Sequence, residues 1–527
     1  MKAFSATWLA LQYSGWSNPL AWALVIIALA RVIAEPAINL SGWGTTYGAH
    51  ELFQDGGVNH YLAWQLNSGK TLYEDIAYPY GPLPALLYAG FSAAVGNGQS
   101  CHALYQGILH LVFAVLLVLA VARLSAPLPA ACALAIGLFL FGTQPYHPVE
   151  RIIMAVILLA WEPPEKRGLR RAVMVGVLLG LWQWCKFGGA IYMAGALLAV
   201  DIFLLFSNRS GINPWRNWFL NTLQAAGIAA AFECARVVHA FTVLSPDVAR
   251  DAVFPAFTFR HYQTMEADER YPVWLGWRYF LFRQAVPFMG CVAAVALAYR
   301  LALVPSQGDI RRRAGLLVPA AFFLLGIGTY MGHSYNRMMY QWALVPVIAG
   351  CMPARLSVGW LAVLMLALPS QWFWAKELMG VPKPDTVLPN GDRIAMGTGW
   401  LGAWQALENH RLNSTDLRPL LIVPVGAGYY FQAQTTPPMR CTWILPAYIT
   451  DRDREQFKAK LDQFSGVALM PGQLGEPVEG QLRAIFGEEL GNLMSRKIGV
   501  PREIGQGCVL ALFQEEQVKI YSPAQTK

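Results

Sequence analysis

The segment "ELFQDGGVNHYLAWQLNSGKTLYEDIAYPYGPLPALLY" spans residues 51–88 and follows the first strongly apolar run of the chain, residues 18–37. It gathers four carboxylates, Glu51, Asp55, Glu74 and Asp75, among tyrosines, glycines and prolines. Elsewhere the chain avoids charge. Of its 527 residues 55% are hydrophobic and 14% charged, where an ordinary soluble protein carries about a quarter charged residues. Mean hydropathy is positive. This is the composition of a membrane protein, and a polar, aromatic segment between apolar runs belongs at a membrane surface.

A bilayer span takes roughly 20 mostly apolar residues. The chain offers about eleven such segments: 18–37, 101–122, 127–143, 148–162, 170–184, 187–206, 217–244, 277–300, 314–331, 337–353 and 356–374. The opening stretch MKAFSATWLALQYSGWSNP has a single Lys and no small-residue cleavage site after its apolar part, so it does not read as a removable signal peptide. The net charge of +8 could suggest nucleic acid, but the basic residues are spread over short loops and form no stripe. Topology explains them instead, because Lys and Arg accumulate in cytoplasmic loops. With the N-terminus inside, the inner loops hold Arg123, the run EKRGLRR (165–171), Arg209, Arg216, Arg300, RRR (311–313) and Arg355. An odd number of spans then puts the C-terminal portion outside, which for a bacterial inner (plasma) membrane is the periplasm.

Two domains follow from the pattern: a transmembrane domain over 1–380, whose first external loop is 38–100, and an external α/β domain over 381–527. In the loop, Val58, Leu62 and Leu66 recur at helical spacing, which suits a helix lying along the membrane surface. Residues 81–96 read as a second interfacial or re-entrant helix, or as a short span. Residues 245–273 form another long polar and aromatic stretch on the external side. In the C-terminal portion, RPLLIVPVGAGYYF contains a buried-strand run, DREQFKAKLDQF is helical, and CVLALF is strand-like. The fold class is therefore a multispan α-helical membrane protein with interfacial helices and a small external α/β domain. Cys441 and Cys508, the cysteines of that domain, are either a disulfide or two buried thiols.

Several ionisable groups fall on the external side under this topology: Glu51, Asp55 and Asp75 in the first loop, Glu150 and Arg151 in QPYHPVER, Lys186 in WQWCKFGG, and His333, Asn336 and Arg337 in GHSYNR. Ionisable groups at membrane depth are expensive and are functional candidates by default. Each also has a plainer reading. Asp75 in YEDIAYPYGP suits a turn cap, and Arg151 and Lys186 suit snorkelling at span ends.

The acidic residue that opens an interfacial helix, followed by GxxxYxDxxYPYGPLP, resembles the first external loop of GT-C fold glycosyltransferases. These integral membrane enzymes, among them the protein mannosyltransferases and the aminoarabinose transferases of lipid A, take a sugar from a polyprenyl-phosphate carrier. In that family an Asp, often followed by Glu, precedes by about fourteen residues a Gly leading into a Tyr; Asp55, Gly69 and Tyr73 match, while position 56 is Gly instead of a second acid. Glu150 and Arg151, Lys186 and the GHSYNR motif are similar to further family features. The resemblance implies a polyprenyl-phosphate-sugar donor and a glycan, lipid or protein acceptor, with Asp55 as general base. Glu51, Asp75, Tyr78, Glu150, Arg151, Lys186, His333, Asn336 and Arg337 would then bind substrate. A divalent cation is compatible with this set and not required by it.

The chemistry is self-consistent. The donor headgroup sits at the bilayer surface, and its leaving phosphate, with a second pKa of about 6, departs without a strong general acid. A base for the acceptor hydroxyl and cations for the phosphate are what remain to be supplied. The competing class is a lipid or solute transporter or flippase, but repeated halves with broken helices are its signature and the chain shows neither. The topology predicts that Lys460→Cys reacts with a membrane-impermeant thiol reagent in intact cells. Protection in intact cells with reaction only after permeabilisation would overturn it.

Overall fold

The computed structural model describes residues 55–125, 148–207, 212–253, 286–303, 312–329, 343–351, 386–389, 398–423, 426–442, 449–470, 478–505 and 508–514, together with 26, 391, 393–394 and 444. The expected spans at 127–143 and 356–374, and all but one residue of 18–37, lie outside these residues.

The first loop folds into two helices, α1 (Asp55–Asn67) and α2 (Pro82–Val95). The NSGK sequence stops α1: Lys70 N donates to Gln65 O and Gly69 N to Leu66 O, with Gly69 at φ +85°. This is a Schellman closure, which places a left-handed residue just past the helix end, where glycine carries no Cβ penalty. Pro82 in the first turn of α2 lacks an N–H that would find no helical acceptor in any case. With 14 residues α2 is about 21 Å long at 1.5 Å per residue, short of the roughly 30 Å hydrocarbon layer. It stays beside α1, because Asn67 Nδ2 donates to Ala89 O and Ser92 Oγ and Asn97 Nδ2 to His60 O. Residues 81–96 thus form the second helix of the first loop.

The helical bundle comprises α3 (Gln99–Leu124), α4 (Pro148–Ala160), α5 (Leu169–Cys185), α6 (Phe187–Ser207), α7 (Ile212–Val243), α8 (Pro246–Val253), α9 (Val286–Leu303), α10 (Leu317–Thr329) and α11 (Leu344–Cys351). Among the described residues the stretches Ser100–Leu124, Gly188–Ser207 and Pro214–Val243 are long and apolar enough to cross a membrane, and shorter apolar helices accompany them. Sequence patterning places about eleven spans; the described residues carry these three. The core between the helices holds Trp182, Phe322, Phe323, Met154 and Met193, all fully buried.

Polar groups mark the two ends of the bundle. At the end away from the first loop, Arg167 grips Asp201 through two hydrogen bonds of 2.5 and 2.7 Å, and Trp218 Nε1 donates to the same carboxylate. Arg171 Nε pairs with Glu162 at 2.8 Å, and Arg123 donates to Leu159 O. Arg123, Arg167 and Arg171, assigned to one side of the membrane by charge asymmetry, do share one end of the bundle.

The C-terminal portion contains β1 (Thr386–Val387), β2 (Arg393–Ile394), α12 (Thr398–Asn413), β3 (Leu420–Val423), α13 (Ala427–Gln432), α14 (Asp451–Lys460), β4 (Gly466–Leu469), α15 (Val478–Phe486), α16 (Glu488–Lys497), β5 (Arg502–Gly505) and β6 (Cys508–Leu512). Its four-stranded sheet has the order β3-β4-β6-β5, with β3 and β4 parallel and the other pairs antiparallel. Alternation along β3 sends Leu421 and Val423 to one face and Leu420 and Ile422 to the other. The first face is covered by Phe457 of α14, Leu482, Ile485 and Phe486 of α15 and Met494 of α16. The second is covered by α12, by α13 and by the first-loop helix: Val58, Tyr61 and Leu62 of α1 share a core with Leu420, Ile422, Tyr430, Phe431 and Ala468.

Helix α1 has buried residues around its circumference, Tyr61, Leu62 and Ala63 at 2% exposure or less, with α2 against it and the sheet domain beyond. Cys441 and Cys508 are both buried and are not joined to each other by a disulfide. They sit in the cores on opposite faces of the sheet, so the sheet itself separates them and no disulfide forms.

The shared core predicts that Leu62→Ala costs about 2–5 kcal/mol, as large-to-small core changes do. Hydrogen exchange should then speed up in both α1 and β3. Loosening confined to α1 would contradict a common core.

Candidate functional site

Between α1 and α2 the chain makes a tight turn. Tyr73 N donates to Ile76 O and Asp75 N to Thr71 O, while Thr71 N donates to the Asp75 carboxylate at 2.8 Å. Asp75 is exposed and closes its own turn, so the turn-cap reading describes it and it is not brought to the buried cluster below. Tyr73 sits at φ +72°, a sparsely populated conformation for a residue with a Cβ that costs about 1–3 kcal/mol unless its surroundings over-determine it. They do: its hydroxyl donates to Tyr80 O at 2.7 Å, and its carbonyl accepts from Arg440 Nη1 at 2.9 Å. Glu74 points the other way and accepts from Ser245 N and Oγ, at the head of α8.

Past the turn, the YPYG sequence lies against the end of α5. Gly81 N donates to Cys185 O at 3.0 Å. A Cβ at Gly81 would stand 2.1 Å from Trp184 O, so only glycine lets the two backbones meet. This contact seats Tyr78 and Tyr80 over the junction of α5 and α6. Lys186 occupies that junction, 8% exposed, with Nζ 5.7 Å from the centroid of the Tyr80 ring.

Glu150 and Arg151, in the first turn of α4, are also buried, at 4% and 3% exposure. Burial pushes the Lys186 ammonium below its ordinary range, and the Glu150 carboxylate nearby opposes that shift. Burial pushes the Tyr78 phenol upward, reinforced by Tyr73, Cys185, Tyr105 and Glu150, which places all four within electrostatic reach of Tyr78. The structure therefore brings Tyr78 and Lys186, from separate parts of the sequence, within electrostatic reach of Glu150, and Arg151 follows Glu150 in the first turn of α4. Lys186 stands between the C-terminus of α5 and the N-terminus of α6, whose partial charges are opposite, so the ammonium itself supplies the attraction. Such an arrangement attracts an anion, and phosphate matches it.

Asp55 opens α1. Glu51, His333, Asn336 and Arg337 lie outside the described residues. Among the described residues no group of three or more His, Cys, Asp or Glu side chains is placed to hold a metal ion.

Sequence reading missed several participants. Tyr105 of α3 has a buried hydroxyl with no hydrogen-bond partner, close to Tyr78 and Cys185; an orphaned buried hydroxyl costs about 1–3 kcal/mol and calls for a ligand or an explanation. His60 and His102 are buried with ring centroids 5.1 Å apart; Tyr88 contacts the first, and Asn59 and Gln106 the second. Phe431 of the sheet domain stacks on His60 at 5.5 Å. His60 falls five residues after Asp55, a signal visible in the sequence; Tyr105 and His102 lie in an apolar span with nothing local to single them out.

No protein-family model matches the chain, and no curated protein matches it. Among solved structures it resembles the oligosaccharyltransferase of Archaeoglobus fulgidus in its complex with zinc and sulfate, at 15% identity and a TM-score of 0.51, over 91% of this chain and 71% of the other. The two share a fold. The apo form of the same archaeal protein matches at 16% identity and a TM-score of 0.45, over 95% and 75% of the respective chains. In this chain that fold is mostly helical, with stretches long and apolar enough to cross a membrane.

The close approach at Gly81 predicts that Gly81→Ala, a change of one methyl group, drives the YPYG segment off Cys185. Lys186 should become more reactive toward an amine-directed reagent in the purified protein. Unchanged reactivity would mean that Tyr80 does not shield it.

Proposed function

We propose that this chain is an integral membrane glycosyltransferase that moves a sugar from a polyprenyl-phosphate carrier to a glycan, lipid or protein acceptor at the outer membrane surface. The observation that carries the reading is the position of Lys186: buried beneath Tyr80, beside Glu150 and the head of α6, at the bundle end that also bears the helix opened by Asp55. The oligosaccharyltransferase-like fold supports it.

On this reading the carrier phosphate sits near Lys186 and Arg151, with Arg337, His333 and Asn336 completing its partners. Arg337 supplies a planar donor fork suited to phosphate. Burial disfavours the Lys186 ammonium, and the Glu150 carboxylate opposes that shift. Tyr78 and Tyr80 wall the headgroup, and the orphaned Tyr105 hydroxyl offers it a further hydrogen bond. The acceptor oxygen attacks the anomeric carbon, the bond from that carbon to the phosphate oxygen breaks with its electron pair left on the phosphate, and the acceptor proton passes to Asp55. Asp55 opens α1 and is the carboxylate assigned to this step. The phosphate leaves as a stable anion and needs no general acid.

A transporter would place its ionisable groups near the span midpoints. Here Glu150, Arg151 and Lys186 lie at helix ends, and Arg167 and Asp201 join at the other end. The domain division at 380, the periplasmic placement of 38–100 and 381–527, and a bacterial inner-membrane location complete the proposal.

Asp55→Asn keeps shape and removes the base, so transfer by purified protein in lipid nanodiscs should fall about 100-fold or more, the usual cost of losing a general base, with donor binding retained. Transfer at the original rate would end Asp55's candidacy and turn attention to Glu150.

A further inference from the structure

Arg440 lies more than two hundred and fifty residues beyond Lys186 in the chain, in the segment PPMR, yet it meets the turn that seats Tyr78 and Tyr80. Its side chain is 5% exposed. Nε donates to Asp453 Oδ1 at 2.8 Å, Nη1 donates to Tyr73 O at 2.9 Å, and Nη2 stands 3.7 Å from Asp251 Oδ2 of α8. Its own carbonyl accepts from Ala77 N at 2.9 Å. One residue of the sheet domain therefore holds both ends of the turn from Tyr73 to Ala77 and ties that turn to α8.

Each partner is itself fixed. Asp453 is fully buried and completes a capping box at the head of α14, accepting from Thr450 N and Oγ1. Helix α8 is held at its other end by Glu74, which accepts from Ser245 and lies 3.9 Å from Arg452. Arg236 of α7 donates to Ala252 O and Val253 O and pairs with Glu233. The turn is thus the meeting point of α8, the sheet domain and the first loop.

Arg440 can do here what lysine cannot. Its planar fork addresses a carboxylate and a carbonyl at once, whereas an ammonium is a single compact point of charge. The carbonyl it holds belongs to Tyr73, the non-glycine residue at φ +72° whose hydroxyl in turn fixes Tyr80 O. A left-handed tyrosine persists only while its surroundings over-determine it. If Arg440 lets go, Tyr73 relaxes toward negative φ, and the displacement passes to Tyr80, three residues from Ala77 and directly over Lys186.

We propose that Arg440 is a positioning residue: from the C-terminal domain it locks Tyr73 in its left-handed conformation, and so sets Tyr78 and Tyr80 over Lys186 for donor binding. The proposal rests on the transfer reaction under Proposed function for its kinetic consequence, and on the structure alone for its effect on the turn.

The test uses the full chain in nanodiscs. Arg440→Gln alone would strand the buried Asp453 charge, so the informative protein is the double variant Arg440→Gln/Asp453→Asn, in which the capping oxygen survives and the Asp453 charge is removed with its closest partner. Two measurements are made, amide hydrogen exchange and steady-state transfer from a polyprenyl-phosphate sugar. Exchange should quicken over residues 70–81 and stay unchanged over 420–423. KM for the donor should rise about tenfold with kcat nearly constant, the signature of lost binding shared by ground and transition states. Arg440→Lys, which can pair with Asp453 but cannot also span to Tyr73 O, should fall between wild type and the double variant. Unchanged exchange over 70–81 overturns the proposal, and so does unchanged KM with transfer proceeding. Equal loosening of 420–423 also overturns it, because Arg440 would then be serving the domain's general stability. If the wild-type chain transfers no sugar from any polyprenyl carrier, the functional reading fails by itself, and the exchange measurement alone decides Arg440.

Discussion

Helix α1 is shared between two bodies of the protein, and the rest depends on that sharing. Its own loop supplies one wall, through α2 and the start of α3, and the C-terminal sheet supplies the other, with Tyr61 and Leu62 meeting Ile422, Tyr430 and Phe431. Each large apolar side chain fully buried in this way contributes about 1.5–3 kcal/mol relative to exposure, a gain that exists only while the sheet domain is seated. A polar loop of a membrane protein has no core of its own. This one acquires a core by adopting one face of a sheet whose strands lie some 350 residues further along the chain.

Seating α1 in this way fixes the path of the chain beyond it. The Schellman closure at Gly69 aims the chain into the turn at Tyr73, and the turn delivers Tyr78, Tyr80 and Gly81 onto the end of α5. Beneath them, charge is buried inside the protein. Lys186 lies against an aromatic face and near a carboxylate, and Arg151 stands beside Glu150 in the first turn of α4.

Much of the scaffold was legible in the sequence because membrane spans write themselves as long apolar runs. The segments read at 101–122, 187–206 and 217–244 appear within Gln99–Leu124, Phe187–Ser207 and Ile212–Val243, each with a stretch long and apolar enough to cross a membrane, and 170–184 appears as the helix Leu169–Cys185. The strands at Leu420–Val423 and Cys508–Leu512 were equally visible as apolar runs. The packing partners were not. Helical spacing in α1 shows that Val58 and Leu62 share a face, but not that a distant sheet covers it, so a surface helix was the natural expectation. Cys508 lies on β6 but Cys441 lies outside the strands, so the face each cysteine joins depends on the connections between the strands. For the site, Glu150, Arg151 and Lys186 stood out as charges in apolar surroundings. Asp75 looked equally significant and is a turn cap, since a carboxylate two positions from a tyrosine reads the same either way. Arg440 carried no local signal, because its partners come from three separate regions of the chain.

If the cluster under Tyr80 receives a lipid-linked phosphate, an experimental structure of the full chain in nanodiscs containing a polyprenyl phosphate will show it. The phosphate oxygens should lie within hydrogen-bonding distance of Lys186 Nζ, about 2.7–3.2 Å, at the bundle end that carries α1. A headgroup bound at the opposite end, beside Arg123 and Arg171, or a Lys186 cluster that stays closed to the lipid at saturating concentration, would contradict it.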